Sequence, residues 1–248
     1  MAISSKVKLL CCNILEEGTV TVTAVDSGYP KERLFDRSLG FYCQYSVTGA
    51  YVVTVNQGAT IKPVDTLIIE DHILSGITVD WQYSDNGSSW ANATAQWTQS
   101  GNSQIAVQLA AALTHQYWRV SMGSHLFQST EIFMGRALSV PVVWGNQPSL
   151  GDTADVEKIR TYGGVDHFIR IGPKRKQREY TVFMDRINYP VATFVADLEY
   201  LDDYSKPFYV IDHEGTCFMA EFGNQPPSAN HLNQGLMEFD ISISEVKG

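Results

Sequence analysis

At 248 residues, 44% hydrophobic and 18% charged, the chain can bury one large β domain or two of ordinary size, and its composition is that of a globular protein. Its 18 basic and 27 acidic residues leave a net charge of −9, which argues against a nucleic-acid partner because phosphate binding needs a basic surface. No run of eighteen apolar residues suggests a membrane span, and the start, Met1–Lys8, lacks the long apolar core of a secretory signal, so folding in a cytoplasm is expected.

In chain order, residues 7–15 are apolar enough for a buried strand, ended by Glu16, Glu17 and Gly18. Residues 19–25 alternate and are almost wholly β-branched, which predicts a second strand. Asp26-Ser27-Gly28-Tyr29-Pro30 predicts a loop, and Leu34-Phe35-Asp36 a short turn-rich stretch. Further strands are expected over 42–45, 51–55 and 64–69. The clearest is 77–84, where Ile77, Val79, Trp81 and Tyr83 alternate with polar residues, the pattern of a strand with one buried face. It stops at Asp85-Asn86-Gly87, a tight-turn triplet, with Trp90 just beyond. Strands over 105–109, 117–122 and 129–134 complete a series with no amphipathic helix before residue 136, which argues for an all-β sandwich.

The succession Leu34-Phe35-Asp36, Tyr51-Val52-Val53-Thr54-Val55, the Tyr83-Ser84-Asp85-Asn86-Gly87-Ser88-Ser89-Trp90 run, Tyr117-Trp118-Arg119-Val120 and Glu131-Ile132-Phe133-Met134-Gly135 resembles the discoidin family, also called coagulation factor 5/8 type C. The resemblance covers about 19–135 and implies an eight-stranded jelly roll of a family of carbohydrate- and lipid-binding modules. Arg37 stands where that family usually has Gly after Phe-Asp, and Phe41, Tyr42 or Cys43 where it usually has Trp. Both departures fall near the family's ligand end.

A boundary is expected at 136/137, giving domains of 1–136 and 137–248, with the turn-rich 146–152 stretch just past it. Beyond it, 168–171 and 179–184 predict a hairpin around a basic loop, and Val191, Phe194, Val195, Leu198 and Leu201 predict a helix over 191–204. Strands over 207–212, 218–222 and 239–246 follow, the last as an edge, so the second domain is expected to be a small β-sheet or split barrel with one helix. A helix after a long hairpin, then Lys206-Pro207-Phe208-Tyr209-Val210-Ile211-Asp212, a Gly-containing hairpin and a terminal strand is similar to tail and baseplate proteins of tailed bacteriophages, including distal-tail-type ring proteins. That resemblance implies a structural component of the virion tail, assembled in the bacterial host cytoplasm. Its partners would be a homo-oligomeric ring of itself and other tail proteins, with the sandwich free to touch host surface carbohydrate. A stand-alone carbohydrate-binding protein is the alternative, and a glycan-cleaving tail enzyme a weaker one.

Little points to catalysis. The six histidines show no His-x-x-x-His or His-x-His spacing, and there is no nucleophile elbow or phosphate-cradling glycine loop, so no enzyme activity, cofactor or metal is expected. Asp36 and Glu131 lie near segments where some discoidin-like sugar binders hold calcium, but two carboxylates fall short of the six to eight oxygens calcium takes, and satisfied polar core residues are the reading preferred. Cys11, Cys12, Cys43 and Cys217 have no metal-binding spacing and are expected to be buried free thiols. Tyr29, Phe41, Tyr42 and Trp97 fall in or near loops, where a ring can stack on a sugar or fill a partner's pocket. Trp81, Trp90 and Trp118 are expected in the core. Arg170, Lys174, Arg175, Lys176 and Arg178 would form either a solvated hairpin tip or a cationic loop that docks on an acidic neighbouring subunit.

Overall fold

The computed structural model describes residues 7–23, 25–140, 149–153, 156–160, 166–170, 174–185, 206–212, 214–223, 228–233 and 236–246; side chains are described for these except at 11, 46–48, 124–125, 149–170, 181–185, 228–233 and 236–240. The chain divides into two compact units, Leu10–Leu138 and a second that gathers Ser139 onward with the described residues before Leu10. Residues 7–9 therefore belong with the second unit rather than the first, and the Val140 amide donates to the Val7 carbonyl.

β1 (Lys8–Cys11) is followed by a single-turn helix, α1 (Ile14–Glu17), where one strand over 7–15 was expected. Asn13 ends the strand: its side-chain oxygen accepts from the Leu15 amide as an N-cap and from the Met134 amide, while its Nδ2 donates to the Ile132 carbonyl. The next strands are β2 (Thr19–Val22), β3 (Cys43–Asn56), β4 (Val64–Glu70), β5 (Thr78–Ser84), β6 (Ala91–Asn92), β7 (Trp97–Thr98), β8 (Ile105–Leu113), β9 (Tyr117–Ser129) and β10 (Glu131–Ser139). One layer has the order β2-β3-β9-β5-β6, with β7 also on β5; facing it, β4 lies between β10 and β8. All these pairs are antiparallel. This is the jelly-roll-like sandwich expected.

Register sets the core. Tyr83, Trp118 and Val55 lie side by side on β5, β9 and β3, as do Trp81, Val120 and Val53 one pleat along. Apart from the half-buried Tyr83 these are fully buried, and they meet Leu67, Ile69, Ile132 and Met134 of the facing sheet. Trp81 and Trp118 sit 5.5 Å apart, and Tyr51 stacks on Phe127 at 4.1 Å. Each such ring removes enough apolar area from water to contribute about 5 kcal/mol of transfer free energy. β3 is one strand where two were expected, with irregular pairing to β9 around residues 45–51, between the two expected segments.

In the second unit, the strands are β11 (Ser149–Thr153), β12 (Val156–Arg160), β13 (Asp166–Arg170), β14 (Arg175–Asp185), β15 (Phe208–Ile211), β16 (Cys217–Phe222), β17 (Ser228–Asn233) and β18 (Leu236–Glu245). Two expectations are corrected. β13 pairs with β12, not with β14, and β14 pairs with β11 and β18. Nor is β18 an edge: β14 lines one side along nearly its whole length, while β17 and then β16 occupy the other. The expected helix over 191–204 lies outside the described residues. Among the described residues, no helix is long and apolar enough to cross a membrane.

Candidate functional site

The loop from β2 to β3 brings three of the four aromatic residues singled out in the sequence onto one arginine. Its path is fixed locally. Asp26 Oδ1 accepts from the Gly28 amide, the Tyr29 amide closes a turn onto the Asp26 carbonyl, and Pro30 then leads into a 3₁₀ turn over Lys31–Leu34. Leu34 is fully buried beneath that turn, and Lys31 Nζ donates to the Val20 carbonyl at 2.7 Å. A loop held at both ends in this way presents its outer side chains with little ordering left to do on binding.

On that outer side, Tyr29 and Tyr42 stack with ring centroids 5.0 Å apart and planes 13° from parallel. The Arg33 guanidinium lies 5.7 Å from the Tyr29 ring centre and 5.4 Å from that of Phe41, and its Nη1 donates to the Tyr42 carbonyl at 3.2 Å. Among the described residues no carboxylate forms an ion pair with it. Phe41 is 59% exposed, more than any other large hydrophobic residue described. A hydrogen bond with Tyr29 raises the Tyr42 hydroxyl above its ordinary pKa, so that phenol is a neutral donor and acceptor at physiological pH. The cluster offers an open apolar ring, two phenolic hydroxyls and a cation within one short loop.

Trp97 does not join it. It lies on β7 opposite Val79 and packs half-buried on the sandwich core. Arg33, by contrast, was missed. Nothing in Lys31-Glu32-Arg33-Leu34 marks its third residue, which the 3₁₀ turn brings against rings four residues before it and eight after.

In the same loop Arg37 adopts φ +58°, a left-handed backbone that costs an L-residue about 1 kcal/mol and that glycine adopts freely. The residue is held there by its contacts: Nε and Nη2 form a two-pronged pair with Glu16 at 2.7 and 2.9 Å, and its amide donates to Glu131 Oε2 at 3.1 Å. Glu131 is buried, and its carboxyl is pushed well above the usual range by that burial and then by the charges of Asp36 and Glu16, against the Arg37 amide and guanidinium. Because Arg37 already answers both Glu16 and Glu131, the cluster does not supply the oxygen cage calcium takes. Among the described residues no group of three or more His, Cys, Asp or Glu is placed to hold a metal.

The basic stretch is distributed rather than gathered. Arg175, Lys176 and Arg178 lie in β14, not on a loop. Arg178 is buried, its Nε 3.7 Å from Oδ2 of the buried Asp212, whose Oδ1 accepts from the amides of Glu214 and Thr216. Lys176 lies 5.0 Å over the Phe218 ring, and its amide donates to Glu245 Oε2. Lys174 is exposed; Arg170 ends β13 with its side chain outside the described residues. A cleft of about 310 Å³ lies beside Gln57 and Lys62, but its polar lining is engaged: Lys62 pairs with Glu17, and Gln57 bonds the Lys62 amide and the carbonyls of Lys62 and His115.

No protein-family model and no curated protein matches the chain. Solved structures similar to it over half its length include CpGH89CBM32-6 produced by Clostridium perfringens, at 15% identity and a TM-score of 0.43, covering 50% of this chain and 99% of that one. Chitosan-binding module 1 from a chitosanase/glucanase of Paenibacillus sp. IK-5 is 18% identical with a TM-score of 0.42, covering 50% and 99%. The family 32 module of C. perfringens NanJ, solved with galactose, is 13% identical with a TM-score of 0.43, covering 51% and 99%.

Proposed function

We propose that the protein binds carbohydrate through the loop between β2 and β3, with no catalytic step. The observation that carries this reading is the gathering of Tyr29, Phe41 and Tyr42 around Arg33 on a braced loop, with Phe41 open to solvent. A pyranose presents an apolar face of C–H groups edged by hydroxyls. Phe41 supplies a surface for the face, while the phenols and the Arg33 guanidinium are directional partners for the hydroxyls. Glycan-array binding of the intact chain tests it. Retention of a sugar by the wild type and loss of about tenfold in affinity in Phe41→Ala, with the melting temperature unchanged, is expected; a wild type that binds no glycan overturns it.

A structural role in a phage tail is the second reading, with the chain forming a ring and joining other tail proteins in the virion. It is supported by the similarity of 206–212 and the strands after it to tail and baseplate proteins. The 191–204 helix it would use lies outside the described residues, and Arg178 is buried beside Asp212 rather than free for a neighbouring subunit. Light scattering separates the readings: a closed ring, or assembly only on mixing with tail proteins, favours the tail role, and a glycan-binding monomer favours the first.

A further inference from the structure

The outer face of the six-stranded sheet carries a second constellation that the β2–β3 loop does not use. Asn92, Gln82, Arg119, Thr54 and Thr21 are direct cross-strand partners on β6, β5, β9, β3 and β2, so they form one row across five strands. The row alternates with the buried pleats of Trp81 and Tyr83, so it faces away from the core, and its ends, Asn92 and Thr21, are exposed. It is wired together at one end: Gln82 Nε2 donates to Asn92 Oδ1, and Arg119 Nε donates to Gln82 Oε1, both at 2.7 Å.

Trp90, expected in the core, belongs here instead. It is half-buried, and the Arg119 guanidinium lies 4.1 Å over its ring. The Nε contact and the ring fix the guanidinium plane, and among the described residues Arg119 has no ion pair. Asp80, two residues from Gln82 on the same face, accepts from Gln96 Nε2 and acts on Arg119 through its charge without forming an ion pair with it. In a chain of net charge −9, a pre-oriented arginine with no carboxylate in ion-pair contact is suited to an anionic group brought by a ligand.

We propose that this face binds a linear polysaccharide bearing carboxylated sugar units, laid across the strands, with one carboxylate on Arg119 beside Trp90. Strand spacing supports that orientation. Neighbouring residues of the row are about 4.8 Å apart, close to the length of one pyranose unit, so successive units meet successive polar side chains over about 19 Å. The surface is separate from the β2–β3 loop. Arg119 pairs with Thr54, eleven residues along β3 from Cys43, whereas Tyr42 sits just before Cys43 at the other end of that strand.

The test is affinity electrophoresis of the intact chain in gels containing polygalacturonate, alginate or hyaluronate, each beside its carboxyl-reduced neutral form. The wild type is expected to be retarded by at least one acidic polymer and not by the matching neutral one, less so as salt rises. Arg119→Gln should weaken retardation at least tenfold. Thr54→Glu, which sets a carboxylate against Arg119 without touching Trp90, should weaken it in the same direction, and circular dichroism should show both variants folded. Phe41→Ala should leave this binding unchanged, so failure of the loop site and failure of this face are told apart. Equal retardation by acidic and neutral forms, no retardation of the wild type, or wild-type behaviour of both folded variants would each overturn the proposal.

Discussion

Two arginines of this chain, one on the β2–β3 loop and one on β14, do opposite work. In the β2–β3 loop, Arg33 stands among aromatic rings with no carboxylate in ion-pair contact. On β14, Arg178 is buried against Asp212, a carboxylate only 1% exposed. The difference teaches that the partner, and not the local density of basic residues, decides whether a cation braces the fold or faces a ligand. Burying a charge is tolerated only with its counter-charge close by, whereas a cation resting on rings keeps its hydrogen-bonding capacity for something else.

The largest expected effect comes from breaking the buried pair. Asp212→Ala removes a buried carboxylate beside the Arg178 guanidinium and the acceptor of the Glu214 and Thr216 amides, so chemical denaturation should report about 3 kcal/mol or more of lost stability. Arg33→Ala, on the other side of the comparison, should cost under about 1 kcal/mol because the residue is half-exposed and its removal strands no buried charge. A loss as large as that at Asp212 would make Arg33 a brace as well.

An intermediate effect is expected at Arg37. Its replacement by Gly relieves the left-handed backbone but removes the two-pronged contact to Glu16, and the two terms oppose each other. Arg37→Ala loses the contact and keeps the strain, so its melting temperature should lie below that of Arg37→Gly.

The smallest effect is one of pH. Glu131 holds its proton more tightly folded than unfolded, so between its ordinary value of 4.5 and its raised folded value the native state binds more protons. Its contribution is therefore fully present below about 4.5 and is lost as pH rises through the folded value. Glu131→Gln should match or exceed the wild-type melting temperature at neutral pH, with the difference shrinking toward pH 4.5. A variant less stable at neutral pH would show that the ionised carboxylate is needed.

The sandwich was legible where one pleat alone carries the core. Trp81 and Tyr83 alternate with polar Gln82 because one face of β5 meets the facing sheet, and that pattern survives any choice of neighbour. Pairing was not legible. The partner of β14 on one side is β18, some sixty residues later, and the nearby β13 turns to β12 instead, a non-local choice that periodicity cannot encode. The site divides the same way. Tyr29, Phe41 and Tyr42 were visible as rings in a loop, but Arg33 became part of the site only through the 3₁₀ turn. Trp90 looked like core because it follows a tight turn, yet its ring lies under the Arg119 guanidinium.

The most direct test of the central claim is a glycan titration followed by the aromatic resonances of the intact protein, using a neutral sugar selected on an array. The account predicts shifts at Tyr29, Phe41 and Tyr42 that saturate together, with Trp97 unmoved on the core. Saturable binding that leaves those three rings unshifted would contradict it.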